Sequence, residues 1–452
     1  MAESRRFHAP LAWVDGAWAR DVLLVADDAG HWCEVRPGCE PAQRAGAERL
    51  PGPVLPGLVN GHSHAFQRAI AGLTERSSAG HDDFWSWRDR MYAAALRITP
   101  QQLEAIASFL YTELLAAGFT QVCEFHYLHN DLDGRPYADP LEMALALVRA
   151  AQRTGIGLTL LPTLYMRSGF TATGLREDQR RFASTPASVL RIAEAVRAQG
   201  GPVLTAGVAL HSVRAVDEGA LRETAAAARA AGLPVHVHVA EQQLEVDDCL
   251  ARHGQRPIAW LLENAPVDAR WSLVHATCAT AAELKAVRDA GASIVLCPTT
   301  EADLGDGVFD LRGWLALQGR WCIGSDSHVA RDWREELRLL EYSQRLMLRH
   351  RNVAARAARQ ESSAAALFAS ALAGGSTAAG QPLGGLAIGQ RADFCVLDAD
   401  APALAGVPEQ HLLDALVFSS PATPMQRVCV AGRDVALQPP RAGFVAAMQS
   451  LW

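Results

Sequence analysis

The stretch VLPGLVNGHSHAFQRAIAGL, residues 54–73, begins as an apolar run and then places two histidines one residue apart. Successive side chains of a strand point to opposite faces, so His62 and His64 point to the same face. Two imidazoles on one face at a strand end can bind one metal ion, although the same spacing also occurs in ordinary cores and surfaces. The rest of the chain decides between these two interpretations.

From residue 56 onward, short apolar runs alternate with alanine-rich amphipathic stretches, several of which end in glycine, a common helix stop. The later strand candidates are FTQVCEFHY (119–127), GLTLLPTLY (157–165), VLTAGVALHS (203–212), PVHVHVAE (234–241), WSLVHAT (271–277), ASIVLCPTT (292–300) and WCIGSDS (321–327). Together with the run before His62, they make eight strand–helix units and predict an α/β fold, a (β/α)8 TIM barrel. A doubly wound open sheet is the alternative, but no glycine-rich dinucleotide motif follows an early strand.

The two ends of the chain have a different pattern. Residues 8–50 and 384–436 contain short β-like pieces separated by turn residues. We expect both ends to pair into one small β-sandwich beside the barrel. The predicted division is a composite β-sandwich domain of residues 1–55 and 376–452 and a catalytic barrel domain of residues 56–375.

Composition narrows the class of protein. The 452 residues are 49% apolar and 20% charged with a net charge of −7, a balance typical of a soluble globular protein and not of a nucleic-acid-binding one. No run has the length of a membrane-spanning helix, and the first residues lack the apolar core of a secretory signal. Nine cysteines without a CxxC spacing indicate free thiols in a reducing compartment. We therefore expect a cytoplasmic protein with no nucleic-acid or membrane partner.

Active sites of (β/α)8 barrels lie at the carboxyl ends of the strands. The polar residues at those ends are His62, His64, Tyr127, His211, Arg214, His238, Glu241, His275 and Asp326. A single strand histidine is commonly a hydrogen-bonded core residue, but a whole set at one end of successive strands favours a site. Three histidines and an aspartate form a sensible ligand set for Zn²⁺.

Four other histidines are weaker candidates. His236 shares a face with His238 but lies deeper in its strand, which favours a barrel-core residue. His126 and His129 follow strand two and are typical of loop or supporting positions. His328 has the facing of Asp326 and is a candidate for orienting that carboxylate.

Several motifs resemble those of the amidohydrolase superfamily: HSH (62–64), HVAE (238–241), VHAT (274–277), GSDS (324–327) and, in the terminal β region, GQRADFCVLDAD (389–400). Two-metal members of that superfamily usually bridge their metals with a carboxylated lysine at the end of strand four. The only lysine of this chain is Lys285, in the helix after strand six, so that bridge is excluded. The resemblance thus implies one Zn²⁺ per chain, with Fe²⁺ or Mn²⁺ as alternatives, bound by His62, His64, His238 and Asp326.

A finer resemblance is to the N-formimidoyl-L-glutamate deiminases of histidine degradation. It lies in HSHAFQRAIAGLTE (62–75), EFHYLHN (124–130), HSVRAV (211–216), HVAEQ (238–242) and CPTTEADLGDG (297–307). It implies hydrolysis of N-formimidoyl-L-glutamate to N-formyl-L-glutamate and ammonia, with proton transfer by Glu241, His275 and Asp326. The residues that hold the substrate are, by the same resemblance, Gln67, Arg88, Tyr127, His211 and Arg214. Ring deaminases usually carry an Asn-containing CPxSN segment where this chain has CPTTEAD.

The arginines support a small-molecule dicarboxylate substrate, because the planar guanidinium binds carboxylate through two parallel hydrogen bonds. Arg214 lies just beyond a strand end, and Arg88 lies in DDFWSWRDRMY (82–92), a segment placed to act as a lid. A solvated surface ion pair is the other interpretation of each arginine. We also expect a homodimer.

Two alternative functions stay open at this point. One is another mononuclear deaminase or chlorohydrolase of the superfamily, acting on a purine, pyrimidine or triazine. The other is a catalytically silent binding protein on the same barrel.

Overall fold

The computed structural model describes residues 5–76 and 84–452. The strands are β1 (Arg5–Val14), β2 (Ala17–Ala26), β3 (Trp32–Arg36), β4 (Glu48–Arg49), β5 (Val54–Pro56), β6 (Leu58–Ser63), β7 (Phe119–His126), β8 (Gly157–Leu164), β9 (Leu204–Ala206), β10 (Val208–Ser212), β11 (Val235–Val239), β12 (Trp271–His275), β13 (Ser293–Leu296), β14 (Arg320–Ile323), β15 (Phe394–Leu397), β16 (Met425–Val430) and β17 (Arg433–Asp434).

The α-helices are α1 (Phe84–Ala95), α2 (Pro100–Ala116), α3 (Glu142–Thr154), α4 (Pro186–Arg197), α5 (Glu218–Ala230), α6 (Gln243–His253), α7 (Pro257–Asn264), α8 (Ala281–Asp289), α9 (Pro298–Leu304), α10 (Leu311–Ala316), α11 (Trp333–Leu348), α12 (Val353–Ala358), α13 (Ser363–Ala379), α14 (Leu412–Phe418) and α15 (Arg441–Leu451). Short 3₁₀ helices span Ala65–Ala69, Glu177–Phe182 and Glu409–His411. No helix of the described residues has both the length and the apolar character that crossing a membrane requires.

The central sheet is parallel throughout and follows the order β14-β13-β12-β11-β10-β8-β7-β6, with the short β9 beside β8. Its first and last strands meet through a bridge between Ser63 and Asp326. There the Asp326 N–H donates to the His62 carbonyl (3.0 Å) and the His64 N–H donates to the Asp326 carbonyl (3.2 Å). The predicted (β/α)8 barrel is therefore confirmed.

Buried apolar runs explain why the barrel strands form where they do. Every residue of β7, β8 and β11 is buried, as expected for strands covered by helices on one side and barrel core on the other. The helices carry local signals too: α2 begins with a capping box between Thr99 and Gln102, and α3 ends at the left-handed Gly155.

Two predicted strands differ in detail from the structure. The segment 203–212 is split into β9 and β10 at Gly207, where a Cβ atom would lie 2.5 Å from the Pro234 carbonyl oxygen. The segment 292–300 leaves the sheet after Leu296, because Pro298 occupies the first turn of α9, where proline is favoured.

The second sheet contains both ends of the described chain, in the order β17-β16-β15-β5-β1-β2-β3 with β4 beside β1. It has an apolar cluster of its own, in which the Phe394 ring lies 5.1 Å from that of Phe7 and 5.9 Å from that of Trp32. The predicted small β region built from both ends is confirmed, and its strands form one hydrogen-bonded sheet. The domain boundaries at residues 55 and 376 stay a prediction.

Candidate active site

Three histidines converge at the carboxyl ends of the barrel strands. The Nε2 atom of His62 lies 3.0 Å from Nε2 of His64 and 3.0 Å from Nε2 of His238. Oδ1 of Asp326 lies 3.4 Å from Nε2 of His62 and 3.3 Å from Nε2 of His64. All four side chains are buried.

Hydrogen bonds to the backbone orient two of these rings. Nδ1 of His64 lies 2.9 Å from the Phe125 carbonyl oxygen, and Nδ1 of His238 lies 2.8 Å from that of His211. Since a carbonyl only accepts, each Nδ1 is the donor and each Nε2 carries a lone pair toward the centre. Burial keeps the pKa of His62, His64 and His238 below the ordinary value, so these lone pairs stay unprotonated.

This donor set fits one divalent metal ion. Nitrogen ligands about 2.0–2.1 Å from a tetrahedral Zn²⁺ stand roughly 3.3 Å apart, close to the spacing of these atoms. Lys285 is an exposed residue of α8 that pairs with Asp289, so it does not bridge two metals here. The residues present are therefore a histidine-rich site suited to a metal ion.

Two titratable side chains, His275 and Glu241, lie beside that site. His275 Nε2 is 3.6 Å from Glu241 Oε1 and 3.8 Å from Asp326 Oδ2, while its Nδ1 is 3.3 Å from Glu301 Oε1. Burial alone would lower the pKa of His275, but the facing carboxylates of Glu241, Glu301 and Asp326 raise it to about 10. Burial raises the pKa of Glu241 to about 7, so this carboxyl can both hold and release a proton near neutral pH.

The backbone at these strand ends is unusual. His275, Asp326 and Ala240, which precedes Glu241, have φ angles of 70°, 45° and 53°. Non-glycine residues rarely adopt such angles, and they are held there by surrounding structure, most often at functional sites. Part of the backbone strain of the described residues thus lies at the strand ends that carry the candidate catalytic side chains.

One cavity contains every residue that the sequence predicted to hold substrate. Its predicted lining residues are Gln67, Arg88, Tyr127, His211 and Arg214, together with His64, His238, Glu241, His275 and Asp326. Helix α1 forms the outer wall with Phe84, Trp87, Met91 and Tyr92. The segment expected to act as a lid is therefore a helix over the site in its described part, from Phe84 onward; its residues 82 and 83 lie outside the described residues.

Several polar atoms of this cavity are buried without a hydrogen-bond partner among the described residues: Nη1 of Arg214, Nε of Arg88 and Oε1 of Gln67. Nε2 of Gln67 donates to the Tyr127 hydroxyl at 3.1 Å, which fixes the amide. Burial alone would lower the pKa of Arg214, but Glu245, Tyr165 and Glu241 raise it, so the buried guanidinium stays charged. Buried charged donors without partners are costly, and a ligand with negative oxygens would satisfy them.

Trp85 lies near both guanidinium groups. The Arg88 guanidinium carbon is 4.4 Å from the centre of the Trp85 ring, and that of Arg214 is 5.7 Å from it. Such cation–π contacts hold a charged group without using its N–H donors. The arginine donors therefore remain available to a ligand.

The weaker histidine candidates lie outside the cavity lining. His236 Nε2 is 2.9 Å from the Ala378 carbonyl and His129 Nε2 is 2.9 Å from the Thr163 carbonyl, which makes both hydrogen-bonded buried residues. The His126 ring packs 5.0 Å from that of His129. His328 Nδ1 lies 2.9 Å from Ser325 Oγ, one residue before Asp326.

Sequence reasoning missed three acids around the site, of which Glu245 and Glu301 are buried and Asp306 is partly buried. Glu301 accepts from the Cys297 N–H at 2.9 Å and faces His275, and Glu245 accepts from the Glu241 N–H at 3.2 Å. A carboxylate oxygen of Asp306 lies within 4.8 Å of ligand atoms of Glu241 and His275. Glu301 and Asp306 stand in CPTTEADLGDG, yet an acid in a loop segment is ordinarily solvated, so only their position in the fold identifies them.

The protein has a (β/α)8 barrel whose polar residues gather at the carboxyl ends of the strands. This fold and this site define the class of protein as a barrel hydrolase. The chain belongs to the amidohydrolase family, whose model matches residues 54–435.

Individual relatives agree with this membership. The chain is 48% identical over 439 residues to a formimidoylglutamate deiminase of Pseudomonas aeruginosa, covering 96% of this chain and 95% of that protein. It superposes on an amidohydrolase from Brucella melitensis with a TM-score of 0.92 and 42% identity, covering 99% of each chain. An adenosine deaminase from Xanthomonas campestris with bound zinc shares the fold at a TM-score of 0.80 and 21% identity, covering 98% of this chain and 97% of that one.

Proposed function

We propose that this protein is a metal-dependent deiminase that hydrolyses N-formimidoyl-L-glutamate to N-formyl-L-glutamate and ammonia in histidine degradation. The observation that carries the proposal is the pair of arginines with unpartnered buried N–H groups in a cavity that is also lined by His64 and His238 of the three-histidine cluster. A glutamate-derived substrate has two carboxylates to offer them. The 48% identity to the deiminase of Pseudomonas aeruginosa supports the same assignment.

We propose one Zn²⁺ per chain, with Fe²⁺ or Mn²⁺ as alternatives, held by His62, His64, His238 and Asp326. When bound, such a metal supplies acidity, because it lowers the pKa of a coordinated water from ~16 to about 7. The buried, unprotonated Nε2 atoms of the histidines are the atoms suited to hold it.

The proton transfers belong to side chains of the chain itself. Asp326 takes the proton of the water whose oxygen adds to the formimidoyl carbon, because His275, with its pKa raised to about 10, already carries a proton. Glu241, with its pKa raised to about 7, donates one proton to the terminal nitrogen, and the hydroxyl proton of the tetrahedral centre is passed to the same nitrogen as the carbon–nitrogen bond breaks and ammonia leaves. The proton held by Asp326 then restores Glu241. His275 Nε2 faces the same space and stabilises the negative charge that develops on oxygen.

The residues that line the wall of the cavity orient the substrate. Arg214 is nearly fully buried and charged, so it is suited to one carboxylate, and Arg88 on α1 is suited to the other. Gln67, Tyr127 and His211 provide further polar contacts beside them. Burial and the charge of Arg214 lower the pKa of His211, so this imidazole is neutral. A cytoplasmic location and a homodimeric state stay predictions.

Ammonia release tests the proposal. Purified protein with its metal content measured is given N-formimidoyl-L-glutamate, formimidoyl-glycine or adenosine. We expect rapid release from the first and little from the other two. Turnover of adenosine in preference to the glutamate derivative would support a ring deaminase instead, and no turnover with metal bound would support a silent binding protein.

A further inference from the structure

Three of the four proposed metal ligands come from opposite ends of the barrel sheet, and the fourth, His238, lies on the interior strand β11. His62 and His64 lie on or next to the first barrel strand, β6, whereas Asp326 follows the last, β14. His62 and His64 meet Asp326 because these two ends of the sheet close the barrel. The contact between residues 60–65 and 325–328 is called the seam.

Glu124, near the end of β7, holds the strand-one side of the seam. Its Oε2 accepts a hydrogen bond from Ser63 Oγ at 2.6 Å, and its Oε1 accepts one from the Ala65 N–H at 2.6 Å. The Tyr111 hydroxyl also donates to Oε2 at 3.3 Å. The Glu124 side chain is 2% exposed, so water does not replace these contacts.

Ser63, which donates to the Glu124 carboxylate, also connects it to the other side of the seam. Ser63 Oγ lies 3.4 Å from His328 Nε2, and His328 Nδ1 lies 2.9 Å from Ser325 Oγ. The Ser325 N–H donates to Asn60 Oδ1 at 2.9 Å, and Asn60 Nδ2 donates to Ser325 Oγ at 2.7 Å. A continuous buried chain of polar groups thus joins Glu124 to the residue before Asp326.

His64 stands between the two residues that Glu124 binds. Because one carboxylate accepts from both neighbours, it fixes the backbone on either side of the His64 ring. We propose that Glu124 is a positioning residue, which holds His64 and, through the seam, Asp326 in the geometry that binds the metal. It is neither a proposed metal ligand nor part of the cavity lining, and it is not one of the residues predicted from sequence. This inference rests on the proposed metal-dependent function.

The chain offers a matched control. Glu336 is also fully buried and also accepts from one backbone N–H, that of Thr299 at 3.0 Å, and from one hydroxyl, Thr299 Oγ1 at 2.6 Å. Its partner Thr299 is not next to a proposed ligand. Removing Glu124 leaves one buried N–H and two buried hydroxyls without their acceptor, and removing Glu336 leaves one partly buried N–H and one partly buried hydroxyl, so the loss of stability is of the same kind.

The test is zinc release from the holoenzyme to a chromogenic chelator, read together with Tm. Partners that orient metal ligands typically contribute about 10–100-fold to metal affinity, so we expect E124A to release zinc about 10–100-fold faster than wild type. E124Q retains an oxygen for the Ala65 N–H and should stay within about threefold. E336A should lower Tm without changing the release rate.

Three results would overturn the inference: zinc release from E124A at the wild-type rate, equal acceleration in E336A, or no rescue by E124Q. If E124A does not fold, S63A removes only the hydroxyl contact, and release several-fold faster than wild type is expected from it; an unchanged rate overturns the inference. A wild-type chain that binds no metal overturns the proposed function and this inference with it. A metal-loaded wild type with an unaffected E124A overturns the inference alone.

Discussion

The floor of the active-site cavity, which contains the metal-site histidines His64 and His238, and its wall, which contains Arg88 and Arg214, differ in how their polar groups are hydrogen-bonded. On the floor, the rings of His64 and His238 are fixed by backbone carbonyls of the protein itself. On the wall, Arg88 and Arg214 have buried N–H groups without partners. The fold has therefore completed the orientation of the floor, whereas the wall is completed only by a ligand. Changes in the floor should affect metal binding and every substrate, and changes in the wall should affect dicarboxylates alone.

The largest expected effect comes from removing a floor ligand. His238→Ala deletes one of three converging imidazoles while leaving the β11 backbone pairing intact, so the protein should fold with metal content near zero and no turnover. Metal analysis of the folded variant and an ammonia assay measure this. Full metal retention would contradict the ligand assignment. Two metals per wild-type chain would contradict the prediction of a single metal, which rests on the absence of a bridging lysine.

Glu241 lies between the floor and the wall, and its substitution should slow the chemical step without changing metal binding. Glu241→Gln keeps the size of the side chain but cannot transfer a proton, so kcat should fall about 10²–10⁴-fold or more. Metal content should stay at the wild-type level, because Glu241 is not a proposed ligand. An unchanged kcat would remove Glu241 from the mechanism.

The wall is tested by Arg214→Met, which removes the guanidinium and keeps much of the apolar bulk. Truncating one partner of a buried charge pair costs about 2–5 kcal/mol, which corresponds to roughly 30-fold to several thousand-fold in kcat/KM. The loss should be large for N-formimidoyl-L-glutamate and small for an analogue with a neutral methyl amide in place of the matching carboxylate. Equal losses for both compounds would place Arg214 outside substrate recognition.

The smallest effect is expected at His236, two residues before His238 on the same strand. His236 hydrogen-bonds the Ala378 carbonyl, and burial lowers its pKa to about 4. Because the unfolded imidazole titrates near 6.5, its contribution to stability is present above pH 6.5 and is lost as the pH falls toward 4. His236→Gln should leave the metal content unchanged.

The same variant should also reduce the pH dependence of unfolding. In metal-free protein, the slope of the unfolding free energy between pH 6.5 and 4 should fall by about 1.4 kcal/mol per pH unit. Urea unfolding across that range, compared with wild type, measures the difference. An unchanged slope would mean that His236 takes up its proton in the folded protein as readily as in the unfolded chain.

Much of the site was predictable because strand periodicity is local. The alternation in HSH placed His62 and His64 on one face, and the eight apolar runs predicted the barrel that brings strand ends together. The absence of a suitably placed lysine predicts one metal ion per chain, and this count stays a prediction. The roles assigned to the site residues stay predictions, although the structure places all of them except His62 in the lining of one cavity, and His62 beside His64 and His238.

What the sequence alone determined is which residue types stand at the strand ends and which face of each strand they occupy. Only the tertiary structure decided that Glu124 binds both neighbours of His64, that Glu301 faces His275, and that β6 meets the segment after β14. An acidic residue is read from sequence as solvated, since burial of its charge depends on donors far away in the chain. Barrel closure brings residues 63 and 326 together. No local sequence pattern predicts a contact between residues so distant in the chain.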